Sequence, residues 1–503
     1  MSFSSSLQTG LSVLKFGAGA AVSTAKNIGN KIANPPDVAP APFAQPRRKA
    51  PSSFRSEFGL TPSGAFTPEE DYDFDVIVVG AGIAGSVCAL ELAKKGHEVL
   101  LAERGAEVGE KNLSGGVFYS RVMDEVIDGF ADKAPVERVI TRNRLMILNE
   151  DSAVTLEAYD QKLTEPVNAV SVLRSKLDPW LAEQCEEAGV TLMTGVRVDE
   201  LVRSDINPEQ IIGIRAGKDT LTARIVIAAD GANSFLARKA GLSRPPALKE
   251  QALGVKSVIE LDEKTLCERF GIPHGTNEGV AYAVVGKASA NLAGGGFIYT
   301  NSNSVSIGVV VRLDEMEDST LSASDIHDAF LNHPSIAPLI EGGKLLEYGA
   351  HLVNEGGIYM MDGLVAPGFL SIGDAAGFTV NTGLTIRGMD FAAGSAIAAA
   401  KAAHHALEAE NYSQATLNTY LDELDSSWVG KDMVTYADTP HFFDNKALYS
   451  DIGTLASDIF YRAYAHDGTP RTRLSALALR AVKESSLNIS NLVRLGYSAL
   501  REL

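Results

Sequence analysis

One stretch constrains this chain more than any other: Asp75-Val-Ile-Val-Val-Gly80-Ala-Gly82-Ile-Ala-Gly85, followed by Glu103 at the end of His97-Glu-Val-Leu-Leu-Ala102. Four β-branched residues in a row, Val76 to Val79, read as a buried parallel strand. Gly80 permits a tight bend, Gly82 lets the backbone approach a pyrophosphate, and Gly85 lets the next helix pack closely on the strand. The pyrophosphate would sit at that helix's N-terminus, where unpaired N–H groups and the positive dipole end face it. Glu103 closes the second strand, where an acid accepts hydrogen bonds from a ribose. Strand, glycine turn, helix, strand and acid together predict a dinucleotide site.

A second motif decides which dinucleotide. Gly368-Phe-Leu-Ser-Ile-Gly373-Asp374-Ala-Ala-Gly377 reads as a strand ending in Gly-Asp and then a helix start. An aspartate there can hold ribityl or ribose hydroxyls while a helix N-terminus addresses phosphate or the flavin O2. Between the two motifs lies Ile225-Val-Ile-Ala-Ala-Asp230-Gly231-Ala-Asn233-Ser234. This two-part arrangement resembles FAD enzymes of the glutathione-reductase fold class, and Asp230-Gly231 resembles the Asp-Gly motif of their hydroxybenzoate-hydroxylase branch. No second G-x-G-x-x-G follows a strand, so a separate NAD(P) domain is not expected.

The resemblance narrows at Glu103-Arg104-Gly105 and Lys111-Asn112-Leu-Ser-Gly115-Gly116-Val-Phe-Tyr119, which resemble FixC-like proteins and, with them, the electron transfer flavoprotein–quinone oxidoreductases. Leu173-Arg174-Ser-Lys-Leu-Asp178-Pro-Trp180 matches the family's Arg-x3-Asp helix, and Gly383-Leu-Thr-Ile-Arg387-Gly388-Met389-Asp390 follows the Gly-Asp loop as the family pattern requires. The similarity covers roughly residues 72–500. It implies an α/β fold: an FAD-binding Rossmann-like domain of the glutathione-reductase type, an inserted antiparallel-sheet substrate domain and a helical C-terminal part. The expected division is an arm and linker over 1–72, a discontinuous FAD domain over 73–235 and 360–410, a quinone-side sheet over 236–359, and helices over 411–503. Carried over residue by residue, the cofactor-binding set is Gly80, Gly82, Gly85, Glu103, Arg104, Lys111, Asn112, Gly115, Gly116, Arg174, Asp230, Gly231, Gly373, Asp374 and Gly383. No catalytic acid or base is singled out, and no metal ligands are expected.

Cysteine use is sparse. Cys88, Cys185 and Cys267 are isolated, so neither a C-x-x-C metal site nor a disulfide framework can be read from them. Cys88 and Cys185 fall on expected helices as small hydrophobes, and a reducing compartment follows. The full-length quinone oxidoreductases that the chain resembles carry a [4Fe–4S] cluster on C-terminal cysteines, whereas here no cysteine follows Cys267. Four thiolates normally hold such a cluster, so the resemblance implies a separate ferredoxin-like subunit, as FixX is to FixC.

Charge is uneven. The net charge is −18, yet residues 1–55 hold seven basic side chains against Asp37 alone, leaving 38 basic against 62 acidic side chains beyond them. That acidic body argues against nucleic acid as a partner. Within the arm, Leu7, Leu11, Leu14, Ala18, Val22, Ala25, Ile28 and Ile32 recur at helical spacing with no acid from Ser2 to Ile32, and Pro35 to Pro51 reads as an extended linker. An amphipathic membrane-surface helix, a mitochondrial transit peptide and a plain tail all remain open. The expected location is peripheral on the cytoplasmic side of a membrane, or mitochondrial if the arm is a transit peptide. The longest nearly uncharged run, Phe391 to Ala400, is about half of what spans a bilayer.

Alternating segments at Ala252–Ile259, Val280–Val285, Gly296–Thr300 and Val305–Val311 predict an antiparallel sheet in the middle of the chain. His274, His333 and His351 read as loop or packing residues. Residues 401–503 read as mainly helical, with Arg471 to Leu503 as a basic amphipathic pair covering the flavin domain. The expected function is an FAD oxidoreductase that accepts electrons from an electron transfer flavoprotein and reduces a quinone. A prenyl (geranylgeranyl-type) C=C reductase, an aromatic monooxygenase and a non-catalytic FAD subunit of an electron-transfer complex are the alternatives.

Overall fold

The computed structural model describes residues 50–58, 71–110, Asn112 and 115–503. The amphipathic arm and proline-rich linker predicted before residue 50, and Lys111, lie outside the described residues. The described chain forms one compact unit beginning at Ala50. Helix α1 (Phe54–Glu57) belongs to it, capped by Ser53. Phe54 is 1% exposed and stacks on Phe378 at 6.0 Å. The Arg55 N–H donates to Asp425 Oδ1 at 3.0 Å. The fold therefore begins before the first strand, because an aromatic side chain ahead of it fills the flavin-domain core.

The first sheet is built on β1 (Phe74–Val79), whose Val76, Ile77 and Val78 are fully buried. It runs parallel to β2 (Val99–Ala102) on one side and β10 (Asp219–Ala228) on the other. Strands β7 (Thr191–Met193) and β17 (Phe369–Ser371) extend the parallel layer at its two edges. Beyond β17 lies antiparallel β16 (Val365–Ala366), and β8 (Glu200–Arg203) and β9 (Ile211–Ala216) pair off β10. Three helices pack on this layer: α2 (Ile83–Ala93), α3 (Arg174–Glu187) and α4 (Met389–Glu408). Helix α4 is buried from Asp390 to Ala400. Its alanines and glycine bring it close against α2, which accounts for an uncharged run too short to span a bilayer. Among the described residues, no helix is long and apolar enough to cross a membrane.

The second sheet has nine strands in the order β15-β11-β14-β13-β12-β4-β6-β3, with β5 beside β4. The predicted strands appear as β11 (Gln251–Glu260), β12 (Glu278–Gly286), β13 (Gly294–Thr300) and β14 (Ser304–Arg312). Strand β15 (Lys344–Asn354) adds to one edge. The rest comes from earlier in the chain: β3 (Gly116–Phe118), β4 (Val136–Leu148), β5 (Ala153–Tyr159) and β6 (Val170–Val172). All pairings are antiparallel except β4 with β12. Arg138 on β4 locks that join, donating to the carbonyls of Asn301 at 2.7 Å, Glu278 at 3.0 Å, Ser302 at 3.2 Å and Thr276 at 3.3 Å while 2% exposed.

The C-terminal region is helical, as its composition predicts. Helices α5 (Thr419–Ser426) and α6 (Trp428–Thr435) pack on the flavin domain through Tyr420, Leu424, Val429 and Met433. The last three meet it at the chain's end, where the Glu502 carbonyl accepts from Thr439 Oγ1 at 2.8 Å and Leu503 lies against Gly383. Helices α7 (Asp451–Tyr464), α8 (Leu474–Glu484) and α9 (Ile489–Glu502) share a small cluster of Leu455, Ala481 and Leu487. They leave Leu474, Tyr497 and Leu500 exposed. A helix pair covering the core would have buried that stripe.

Candidate functional site

A cavity of about 1100 Å³ runs from the β1–α2 turn to the face of the second sheet. At the turn, Gly80 has φ +107°, and a Cβ there would stand 2.4 Å from the Ala229 carbonyl oxygen. Gly85 is closer still to its neighbours: its Cβ would meet the Gly80 oxygen at 1.8 Å. Gly85 thus lies behind the cavity and lets α2 pack, while Gly80 and Gly82 line it. Gly82 N-caps α2 with no side-chain hydrogen bond, so the helix's first N–H groups are left for a ligand. Glu103 faces the same space, accepting the Ala81 N–H at 3.0 Å and the Gly105 N–H at 2.7 Å. These bonds orient the carboxylate and leave it further lone pairs. Arg104 sits exposed at the rim.

Across the cavity the distal elements converge. Asp374 lines it from a single 3₁₀ turn, Gly373–Ala376, and Gly373 supports that turn from behind, donating its N–H to Ser395 Oγ at 3.1 Å. The predicted helix does not start here. A ribbon of Val380–Asn381 with Ile386–Arg387 intervenes, and α4 begins at Met389 after an N-cap Gly388 that has no side-chain bond. Gly377 at φ +89° ends the turn, which is why Gly-Asp alone misplaces the helix. The uncapped α4 N-terminus nevertheless borders the cavity through Gly388, Met389 and Ala392, next to Gly383.

Arg174 and Asp178 join the two halves. Arg174 Nε and Nη2 donate to the Asp178 carboxylate at 2.6 and 2.7 Å, and Asn112 Nδ2 donates to the same group. Arg174 also lies against Gly82, where a Cβ would be 3.3 Å from Nη2. Burial pushes the Asp374 carboxyl above its ordinary value, opposed by Arg174 and His351. Gly115, Gly116 and Gly231 line the cavity as well. Asp230 lines it too, but its carboxylate is occupied by Ser234 Oγ at 2.7 Å and the N–H groups of Phe235 and Leu236, capping the short helix Leu236–Lys239.

Two cavity residues were missed in the sequence. Lys256 on β11 is 3% exposed and donates to the Gly115 carbonyl; burial pushes its ammonium down to about 7. A lone lysine inside Ala252-Leu-Gly-Val-Lys-Ser-Val-Ile259 is the signal that could have found it. Glu355, just beyond β15, has no such signature; burial raises its carboxyl to about 7 against the lowering effect of Arg312. A carboxyl whose folded pKa is raised stabilises below its unfolded value and loses that stability as pH rises. Glu355→Gln should therefore flatten a decline of about 3 kcal/mol in wild-type stability between pH 4.5 and 8, read from urea midpoints against pH. A variant whose profile parallels the wild type contradicts the assignment.

The three cysteines are buried, and burial pushes the Cys88 and Cys185 thiols up. His333 packs with its ring 2.8 Å from the Asn149 carbonyl, whereas His351 lines the cavity.

Residues 73–268 match the FAD binding domain model, and residues 252–353 match the model described as ETF-QO, ubiquinone-binding. The chain is 43% identical over 418 residues to the probable electron transfer flavoprotein-quinone oxidoreductase YdiS of Escherichia coli K12, covering 83% of this chain and 96% of the relative. It is 42% identical over 431 residues to Protein FixC of the same organism, covering 86% and 99%. A solved geranylgeranyl bacteriochlorophyll reductase-like protein from Thermoplasma acidophilum shares the fold with a TM-score of 0.61 at 20% identity, covering 85% of this chain and 99% of that one. The myxobacterial chondrochloren halogenase CndH does so at 0.55 and 16%, covering 85% and 90%. At such identities these two likenesses carry the fold and not a substrate. The size of the cavity, the uncapped α2 terminus and the oriented Glu103 suit FAD, and the chain belongs to the FixC-like electron transfer flavoprotein–quinone oxidoreductase family as an FAD-dependent oxidoreductase of electron transfer.

Proposed function

We propose that this protein receives electrons from an electron transfer flavoprotein and delivers them to a quinone. The observation that carries this reading is the continuity of one cavity: it joins the Gly80–Gly85 turn to β11, β12 and β13, which lie inside the segment matched by the ubiquinone-binding model. Bound FAD supplies the one- and two-electron chemistry. The protein's part is binding, orientation and proton supply. The α2 N-terminus with Gly80 and Gly82 addresses the pyrophosphate, Glu103 the ribose, and Asp374 the ribityl hydroxyls. Arg104, Asn112, Gly115, Gly116, Arg174, Gly231 and Gly383 shape the remaining walls, and Asp230 holds the Asp-Gly turn. The positive dipole end of α4 at Gly388 and Met389 favours negative charge on whatever reduced ring lies against it. Quinone reduction consumes protons. Burial pushes the Lys256 ammonium down and the Glu355 carboxyl up, each to about 7, and both line the cavity, which supports them as the groups for that supply.

Scattered, buried cysteines support a separate ferredoxin-like subunit for any iron–sulfur step. The exposed apolar stripe of α8 and α9, flanked by Arg473, Arg480, Lys483, Arg494 and Arg501, supports peripheral contact with an anionic membrane. The test is anaerobic spectroscopy of the purified chain. Reduced electron transfer flavoprotein should bleach the flavin bands, a short-chain quinone should restore them, and pure protein should hold no stoichiometric iron. A flavin that electron transfer flavoprotein leaves oxidised overturns the donor, and stoichiometric iron overturns the separate subunit.

A further inference from the structure

Far from the cavity, three side chains with metal-binding atoms meet although the sequence separates them by more than 300 positions. His97 lies in the tight turn between α2 and β2, while His404 and Glu408 stand one helical turn apart on α4. His97 Nε2 and His404 Nδ1 are 2.8 Å apart, with ring centroids 5.1 Å apart and planes inclined at 56°. One ligating atom from each of the three residues falls within 4.8 Å of the other two. Both histidines are half-buried, His97 in its turn and His404 on α4, and Glu408 is exposed.

We propose that His97, His404 and Glu408 form a site for a divalent transition-metal ion of the zinc type. Two imidazole nitrogens and one carboxylate are a standard zinc donor set, with water completing the tetrahedron. Zinc–nitrogen bonds of about 2.0–2.1 Å set the two nitrogens roughly 3.3 Å apart, so the rings must part by about half an ångström and each swing by roughly 35° to aim its lone pair at an ion beside the line that now joins them. Binding the ion replaces the hydrogen bond that now joins the two rings. The Glu408 carboxylate reaches in from the end of a flexible stem, and i, i+4 spacing places it on the same face of α4 as His404. Imidazole donors with one carboxylate suit zinc, nickel or copper over magnesium or calcium, which prefer all-oxygen sites.

The consequence is mechanical. His97 follows α2, whose N-terminus forms the glycine turn, and His404 lies on α4, whose N-terminus borders the cavity. An ion there ties the distal ends of these two packed helices together and stabilises the flavin domain by mass action.

The test uses the untagged, flavin-loaded full chain after chelator treatment. Zinc titrated against a low-micromolar chromogenic chelator should occupy one equivalent, and the unfolding temperature should rise by several degrees. His404→Ala and His97→Gln should each weaken binding by about tenfold or more and abolish the temperature rise. Flavin absorbance at wild-type level certifies the fold of each variant. Glu408→Gln should weaken binding less, and cobalt in place of zinc should give visible bands typical of a low-coordinate nitrogen–oxygen site. No saturable binding, or one equivalent retained by both histidine variants, overturns the proposal.

Discussion

Gly80→Val is expected to yield a chain that carries no flavin and unfolds at much lower denaturant than the wild type. At φ +107° a β-branched residue is strained before any contact is considered. Its Cβ would also lie 2.4 Å from the Ala229 oxygen and 2.9 Å from the Ala229 carbon, both backbone atoms of the β10 end that cannot step aside alone. Strain and overpacking together cost about 3–5 kcal/mol, a large part of a domain's net stability. The turn that offers the α2 N–H groups is lost with them. Glu103→Ala is the informative partner. It removes the acceptor for Ala81 and Gly105 N–H and the proposed charged contact with the ribose, about 1.5–3 kcal/mol, yet leaves the turn's backbone sterically free. That variant should fold and hold FAD roughly 10–150-fold more weakly, measured by fluorescence of released flavin. Wild-type affinity in Glu103→Ala, or full flavin content in Gly80→Val, would displace the dinucleotide site from this turn.

What the sequence made legible was local chemistry. Val76 to Val79 with three spaced glycines left little choice of element, and the structure places them as strand, turn and helix. The alternating segments from Ala252 to Val311 were equally plain because one periodicity ran through each. Long-range pairing was harder. Strands β3 to β6 belong to the second sheet, yet they lie between two flavin-domain strands in the chain, and nothing in Val136–Leu148 says that its partner is β12. The Gly-Asp loop misled for a different reason: a 3₁₀ turn and a helix start share their first residues, and only Gly377 breaks the tie. Asp230 reads as a ligand from its motif, and the sequence did not show that its carboxylate also accepts from Ser234 Oγ and from the backbone that follows. Lys256 was visible as a charge in an apolar strand. The meeting of His97 with His404 was not visible, since no short motif spans two elements that touch only when α4 packs on α2.

The second large effect concerns Arg174. Its guanidinium makes two hydrogen bonds, at 2.6 and 2.7 Å, to an Asp178 side chain that is 0% exposed. Arg174→Met leaves that carboxylate buried with Asn112 Nδ2 as its remaining side-chain donor, and removing one partner of a buried pair costs about 3–5 kcal/mol. The loss should appear as a lower urea midpoint with unchanged slope. Because Arg174 also lies against Gly82 and its charge acts on Asp374, flavin should dissociate faster from the variant than stability alone predicts. Arg174→Lys does not rescue it, since a single ammonium cannot reproduce the paired geometry. A double-mutant cycle separates the pair from the site. Arg174→Met with Asp178→Asn removes the stranded charge, so stability should recover by about 1–3 kcal/mol over Arg174→Met alone. Flavin retention should not recover, because the guanidinium beside Gly82 is still missing. Recovery of both together would make Arg174 a purely structural partner of Asp178, and recovery of neither would deny the ion pair its part in stability.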